Sequence, residues 1–132
     1  MKISAKIASG RNQQEVVVQT NDAAKSIALP TKPSGFGSAV NGGELLLLAL
    51  ATCYCNDIYR EAGKRNIPVS GVEVECTGDF GAEGEPGDNF RYQVTITSDA
   101  PAETIEELIR TTDKVAEVHN TLRKGVSVSL IR

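Results

Sequence analysis

The chain has no tryptophan, a single histidine and only three cysteines in 132 residues, and each scarcity closes off a class of function. His119 stands alone, and no ligand-like spacing links cysteine, histidine and acidic residues, so no metal site and no cofactor is expected. Cys53, Cys55 and Cys76 form no C-x-x-C pair. An odd number without a secretion signal does not describe a disulfide framework, and a reducing, cytoplasmic setting is the expectation. Basic surplus is missing too: the formal net charge is −3, and no Lys/Arg cluster exceeds the pair Arg123-Lys124, which argues against a nucleic-acid partner. The longest apolar run, Leu45 to Tyr54 interrupted only by Thr52, is about half the ~20 residues that a membrane span requires. It reads as a buried helix of a soluble protein with no membrane partner. At the N-terminus, Met1 to Ile7 alternates apolar and polar residues, the pattern of a strand and not of a signal peptide.

What is present suits one domain over residues 1–132, with 40% apolar residues to form its core. Ile3, Ala5 and Ile7 share a strand face. Val16 to Val18 and Ile27 to Leu29, separated by Asn21-Asp22, complete a three-stranded meander. Pro30, Pro33, Gly35, Gly37 and Gly42-Gly43 then mark a loop long enough to suggest function. A helix from about Glu44 to Lys64 follows, apolar all round in its first half and amphipathic in its second, with Asn56 and Asp57 opening an exposed face. A helix apolar on every side must be covered on several sides, which points to a dimer burying it centrally.

Val72, Val74 and Cys76 alternate with Glu73, Glu75 and Thr77, and Tyr92, Val94 and Ile96 repeat the alternation to close a hairpin. Ser98 or Asp99 is placed to cap a second helix, with Pro101 in its first turn and Ile105, Leu108, Ile109, Thr112, Val115, Ala116 and Leu122 at helical spacing. Gly125 stops it, and Val126, Val128 and Leu130 form a closing strand. The class is α+β, in the order βββ-α-ββ-α-β.

That order, with Asn41-Gly42-Gly43-Glu44-Leu45-Leu46-Leu47-Leu48-Ala49-Leu50-Ala51-Thr52-Cys53, resembles the OsmC/Ohr family of hydroperoxide-resistance proteins over nearly the whole chain. The resemblance implies an intertwined homodimer whose sheets wrap long central helices, with sites at the subunit interface. It also implies thiol chemistry on organic hydroperoxides, with Cys53 as the attacking thiolate. Arg11, in Ser9-Gly10-Arg11-Asn12, resembles the family's assisting arginine, and Glu44 its assisting acid, although Gly43 holds the position ten residues before the cysteine. Ala116-Glu117-Val118-His119-Asn120-Thr121-Leu122 resembles the family's Cys-Pro-Val-His-Asn-Thr-Leu segment, with Ala116 replacing the resolving cysteine and Glu117 the proline. A sulfenic acid on Cys53 would then need an external thiol reductant, or Cys55 or Cys76.

Each residue also has a structural explanation. A free cysteine is a common core residue, so Cys53 can be packing alone. Cys55 lies roughly 200 degrees around the helix from Cys53, and Cys76 shares an apolar strand face. Arg11 reads equally as a solvated loop residue, Glu44 as a first-turn acid favoured by the helix dipole, and His119 as a surface or interface histidine beside Ala116 in the segment that would line a pocket. Two functions therefore stand: a hydroperoxide reductase or redox stress protein acting through Cys53, or a non-enzymatic dimer of the same fold binding a small apolar ligand at the subunit interface.

Overall fold

Alternating residues at the start of the chain pair as a meander in the computed structural model, which describes residues 1–132 as two units, Met1–Leu45 and Leu46–Arg132. In the first unit, β1 (Ile3–Gly10), β2 (Gln13–Thr20) and β3 (Ala23–Ser26) form one antiparallel sheet in sequence order. Its register sets Ile3 opposite Thr20 and Gly10 opposite Gln13. Both hairpins turn through an asparagine at positive φ, Asn12 and Asn21, a conformation that asparagine tolerates better than most residues. The tight turn at Asn21 starts β3 at once, so the third strand is Ala23–Ser26 and not the expected Ile27 to Leu29. The Gly-rich loop folds back on the first hairpin: Asn12 N–H donates to the Gly35 carbonyl at 2.8 Å, and its side-chain oxygen accepts from Gly35 N–H at 3.0 Å.

Helix α1 (Gly42–Lys64) starts at a reciprocal cap. Glu44 N–H donates to Asn41 Oδ1 at 2.8 Å, and Asn41 N–H donates to Glu44 Oε1 at 2.9 Å. The helix ends where Asn66 turns to positive φ and Ile67 N–H reaches back to the Ala62 carbonyl at 3.0 Å. The expectation of an all-round covered first half is only partly met within the chain: Leu45, Leu46 and Leu47 are half-buried and Leu48 is 59% exposed. The deeply buried face lies further on, at Tyr54, Asp57, Ile58, Glu61 and Ala62.

In the second unit, β4 (Gly71–Asp79) pairs antiparallel with β5 (Asp88–Thr97), with Val72 opposite Ile96, Val74 opposite Val94 and Cys76 opposite Tyr92. This apolar face packs on a core of Tyr54, Ile58, Ala62, Leu108 and Ala116. Fully burying a side chain such as Ile58 or Leu108 contributes about 1.5–3 kcal/mol. Tyr54 also donates its hydroxyl to the Ile109 carbonyl at 2.7 Å and meets the Tyr92 ring edge-on at 4.8 Å.

The expected second helix is two helices, α2 (Ala102–Val115) and α3 (Glu117–Lys124). Ala116 takes an extended conformation, φ −73 and ψ 107, at the break. Asn120 bridges the break, its amide donating to the Lys114 carbonyl at 3.0 Å. Neither Ser98 nor Asp99 caps α2. Pro101 occupies the N-cap, and Ser98 instead bonds the Pro68 carbonyl. Gly125 closes α3 at φ 71, as expected. The closing strand expected at Val126 to Leu130 has no ladder partner within the chain, and Val128 is 99% exposed. No helix is long and apolar enough to cross a membrane.

One buried carboxylate fastens the end of α1. Glu61, 4% exposed, is bound by Arg60 Nε at 3.0 Å, Lys64 Nζ at 3.2 Å and Arg65 Nη1 at 2.8 Å. These hydrogen bonds, that from Arg65 first, hold its pKa down to about 2.

Candidate functional site

Helix periodicity brings Asp57 one turn beyond Cys53 on the same face of α1, and the thiol donates to Asp57 Oδ2 across 3.6 Å. The break at Ala116 aims the first turn of α3 at the same sulfur. Glu117 Oε2 lies 4.0 Å from it, and the neighbouring Val118 backbone favours its anionic form. Arg60 closes the cluster, with Nη1 at 3.0 Å from Asp57 Oδ1 and 3.6 Å from Glu117 Oε1. A half-buried thiol thus sits beside two carboxylates that share one guanidinium.

Burial is the largest influence on Cys53 and raises its pKa; Asp57 and Glu117 push it the same way, and the Val118 backbone opposes them. Cys53 therefore rests as a thiol. Asp57 is also raised, first by burial and then by Glu117, against the pull of Arg60. Cys53, Asp57 and Glu117 carry one donor atom each within 4.8 Å of one another, a grouping the sequence spacing did not suggest. Arg60 already supplies positive charge to both carboxylates there.

The remaining sequence candidates are distributed through the chain. Within the first unit, Arg11 is exposed in the β1–β2 turn, its backbone bridged to Phe36, and Glu44 completes the cap of α1. Cys55 is half-buried beside a surface hollow with Ala51, Thr52 and Val74. The helix runs unbroken through both cysteines, so Cys55 and Cys53 stay on different sides of it. Cys76 lies on β4 opposite Tyr92, where burial alone raises its pKa. All three cysteines are free thiols.

Ala116 is fully buried at the helix break. His119, expected at a surface or interface, is 4% exposed beneath Tyr54 and Tyr92, because α3 turns that side of the helix onto the core. Asp57, read as the start of an exposed face, is buried. Its i, i+4 relation to Cys53 was a usable signal for their contact. Nothing in the sequence marked Glu117 or the Val118 backbone as neighbours of the sulfur.

The comparisons with known proteins agree with this architecture. The family model described as OsmC-like protein matches residues 35–131. An OsmC-like protein from Mycoplasma pneumoniae is similar in structure, with TM-score 0.62, 22% identity, and coverage of 93% of this chain and 89% of that one. An organic hydroperoxide resistance protein OsmC from Legionella pneumophila gives TM-score 0.58 and 25% identity over 98% and 95% of the two chains. An OsmC-like hydroperoxide resistance protein from Jannaschia gives TM-score 0.59 and 21% identity over 96% and 87%. The search of curated proteins returned no match. With its α+β architecture and a family match spanning most of its length, the chain belongs to the OsmC-like protein family.

Proposed function

We propose that this protein is a thiol-dependent reductase of organic hydroperoxides acting through Cys53. One observation carries the reading: the sulfur of Cys53 lies 4.0 Å from Glu117 Oε2 in the N-terminal turn of α3, whose Val118 backbone favours the anionic form of the thiol. A peptide N–H at a helix start favours an anionic sulfur, whatever its resting state. The Legionella and Jannaschia proteins are described as hydroperoxide resistance proteins, which agrees with this chemistry.

In the reaction, Cys53 loses its proton to water and the thiolate attacks the terminal oxygen of the hydroperoxide. The S–O bond forms as the O–O bond breaks, and the departing alkoxide takes a proton from water to leave as an alcohol. The cysteine becomes a sulfenic acid. With Ala116 where the family has its second cysteine, an external thiol reduces that sulfenic acid to a mixed disulfide with loss of water, and a second thiol releases Cys53. Arg11 and Glu44 keep the assisting roles that the family resemblance implies, and Arg60 is the cation of the Cys53 cluster itself.

Residues 1–132 act in this reading as one OsmC-like domain, working as a homodimer. Exposed Leu48 and the unpaired Val126 to Leu130 segment support a second copy as the missing cover. Mass spectrometry after one equivalent of cumene hydroperoxide tests the chemistry. Oxygen addition at Cys53, reversed by excess dithiothreitol, is the expected result; native protein left unoxidised at Cys53 overturns it.

A further inference from the structure

A second feature of the Leu46–Arg132 unit is not used by the chemistry of Cys53. A cleft of about 240 Å³ opens beside Leu50, one turn before Cys53 on α1. Phe90 and Leu122 give it further hydrocarbon, and Tyr92, His119, Arg91 and Arg123 supply its polar groups. Gly78 keeps Phe90 in place there, since a Cβ at that position would collide with the ring.

His119 is the anomaly in this lining. It is 4% exposed, yet neither Nδ1 nor Nε2 has a hydrogen-bond partner. Leaving a buried polar group unmatched costs about 1–3 kcal/mol, and such groups in folded proteins call for an explanation. The Tyr92 ring meets the imidazole edge-on at 4.6 Å and the Tyr54 ring lies tilted at 5.6 Å, so aromatic rings enclose it without offering it an oxygen or nitrogen. Burial first, and Arg123 second, lower its pKa and keep it neutral, with one N–H to donate.

Charge decides what kind of group would complete the site. Arg123 is already matched by Asp113, Nη2 to Oδ1 at 2.7 Å. Arg91 uses its Nε on Asn89 Oδ1 at 2.9 Å and pairs with no carboxylate, so its remaining guanidinium donors are free. The uncompensated guanidinium of Arg91 repels a cationic ligand, and a purely apolar one would leave the buried nitrogens of His119 unmatched. A carboxylate meets both needs, because guanidinium donors and an N–H are what its oxygens accept.

We propose that this cleft binds a small apolar carboxylate, its hydrocarbon against Leu50 and Leu122 and its oxygens taken by Arg91 and the N–H of His119. The site stands independently of whether Cys53 reacts. It assigns to the fold a ligand that is charged at one end, in contrast to the wholly apolar ligand expected from sequence.

Because the chain has one histidine, ¹⁵N-histidine labelling of the full-length protein gives a single set of ring resonances. Hexanoate is the probe, with hexan-1-ol and hexylamine as neutral and cationic controls. Hexanoate is expected to shift the His119 ring resonances saturably and to bind about tenfold more tightly than either control, the scale of a charge-assisted hydrogen bond. Arg91→Gln, at an exposed position, is expected to weaken hexanoate about tenfold while leaving the free protein's ring resonances in place. His119→Phe keeps an aromatic ring but removes the N–H, and is expected to abolish hexanoate binding, followed by calorimetry, without lowering Tm. Cys53→Ser is expected to bind hexanoate as the parent does, which separates this site from the redox reading. Absence of a saturable shift, equal binding of hexan-1-ol, or full affinity in Arg91→Gln overturns the proposal.

Discussion

Cys53 and Cys76 are both free, half-buried thiols in the same unit, and burial is the first cause of the raised pKa of each. At Cys76, on an apolar strand face, burial is the whole cause. Around Cys53 the protein has placed two carboxylates that act on it through charge or hydrogen bonding and are themselves paired with the Arg60 guanidinium, and the Val118 backbone opposes them. A buried thiol in hydrocarbon can change its reactivity only by being exposed. One set among charges can be retuned by altering a single neighbour, and that is the practical difference between the two thiols.

The sharpest way to break the comparison is to remove each sulfur. Cys53→Ser is expected to abolish dithiothreitol-dependent consumption of cumene hydroperoxide, whereas Cys76→Ser retains most of it; a peroxide-consumption assay on both variants decides. Next in size is the return of a cysteine to the helix break. The neighbouring Glu117 carboxylate comes within 4.0 Å of the Cys53 sulfur, so Ala116→Cys is expected to capture oxidised Cys53 as a disulfide. Non-reducing peptide mapping checks the linkage, and a bridge to Cys76 instead would contradict the geometry. The added sulfur at this buried position is also expected to cost about 1–3 kcal/mol in denaturant titration of the reduced protein.

Charge changes should separate the two thiols more finely. Asp57→Asn removes the nearer carboxylate and is expected to lower the Cys53 pKa and speed its alkylation severalfold at pH 7, with Cys76 unaffected. In the parent, a raised thiol pKa means that the reactive anion is scarce at neutral pH and accumulates as pH rises. Cys53 alkylation should therefore climb through the alkaline range, and the Asp57→Asn profile should sit at lower pH. Glu117→Gln should act in the same direction but more weakly, because that side chain is 68% exposed and water screens it. Iodoacetamide labelling followed peptide by peptide measures all three profiles.

Much of the fold was legible because its signals are local. Alternation placed β1, β2, β4 and β5, apolar spacing placed α1, and Gly125 ended the last helix. The break between α2 and α3 was hidden, since Thr112 and Ala116 continue helical spacing and neither glycine nor proline interrupts them. That concealed turn is also why the cluster was only half legible. Cys53 was identifiable from its resemblance to a family motif, but its contacts with Glu117 and the Val118 backbone depend on where a distant segment ends one helix and begins another. The Val126 to Leu130 pattern was visible as a strand, but a strand requires a neighbour to supply hydrogen bonds, and this segment has none within the chain.

The shared use of Arg60 by Asp57 and Glu61 orders the response of α1 to acid. Glu61, with a pKa of about 2, keeps its stabilising contribution above the ordinary carboxylate range and surrenders it only as pH falls toward that value. Asp57, shifted the other way, takes up its proton earlier in the same descent. Acidification thus discharges Asp57, the neighbour of the sulfur, before Glu61, so the charge around Cys53 can change without loosening the helix terminus that carries it.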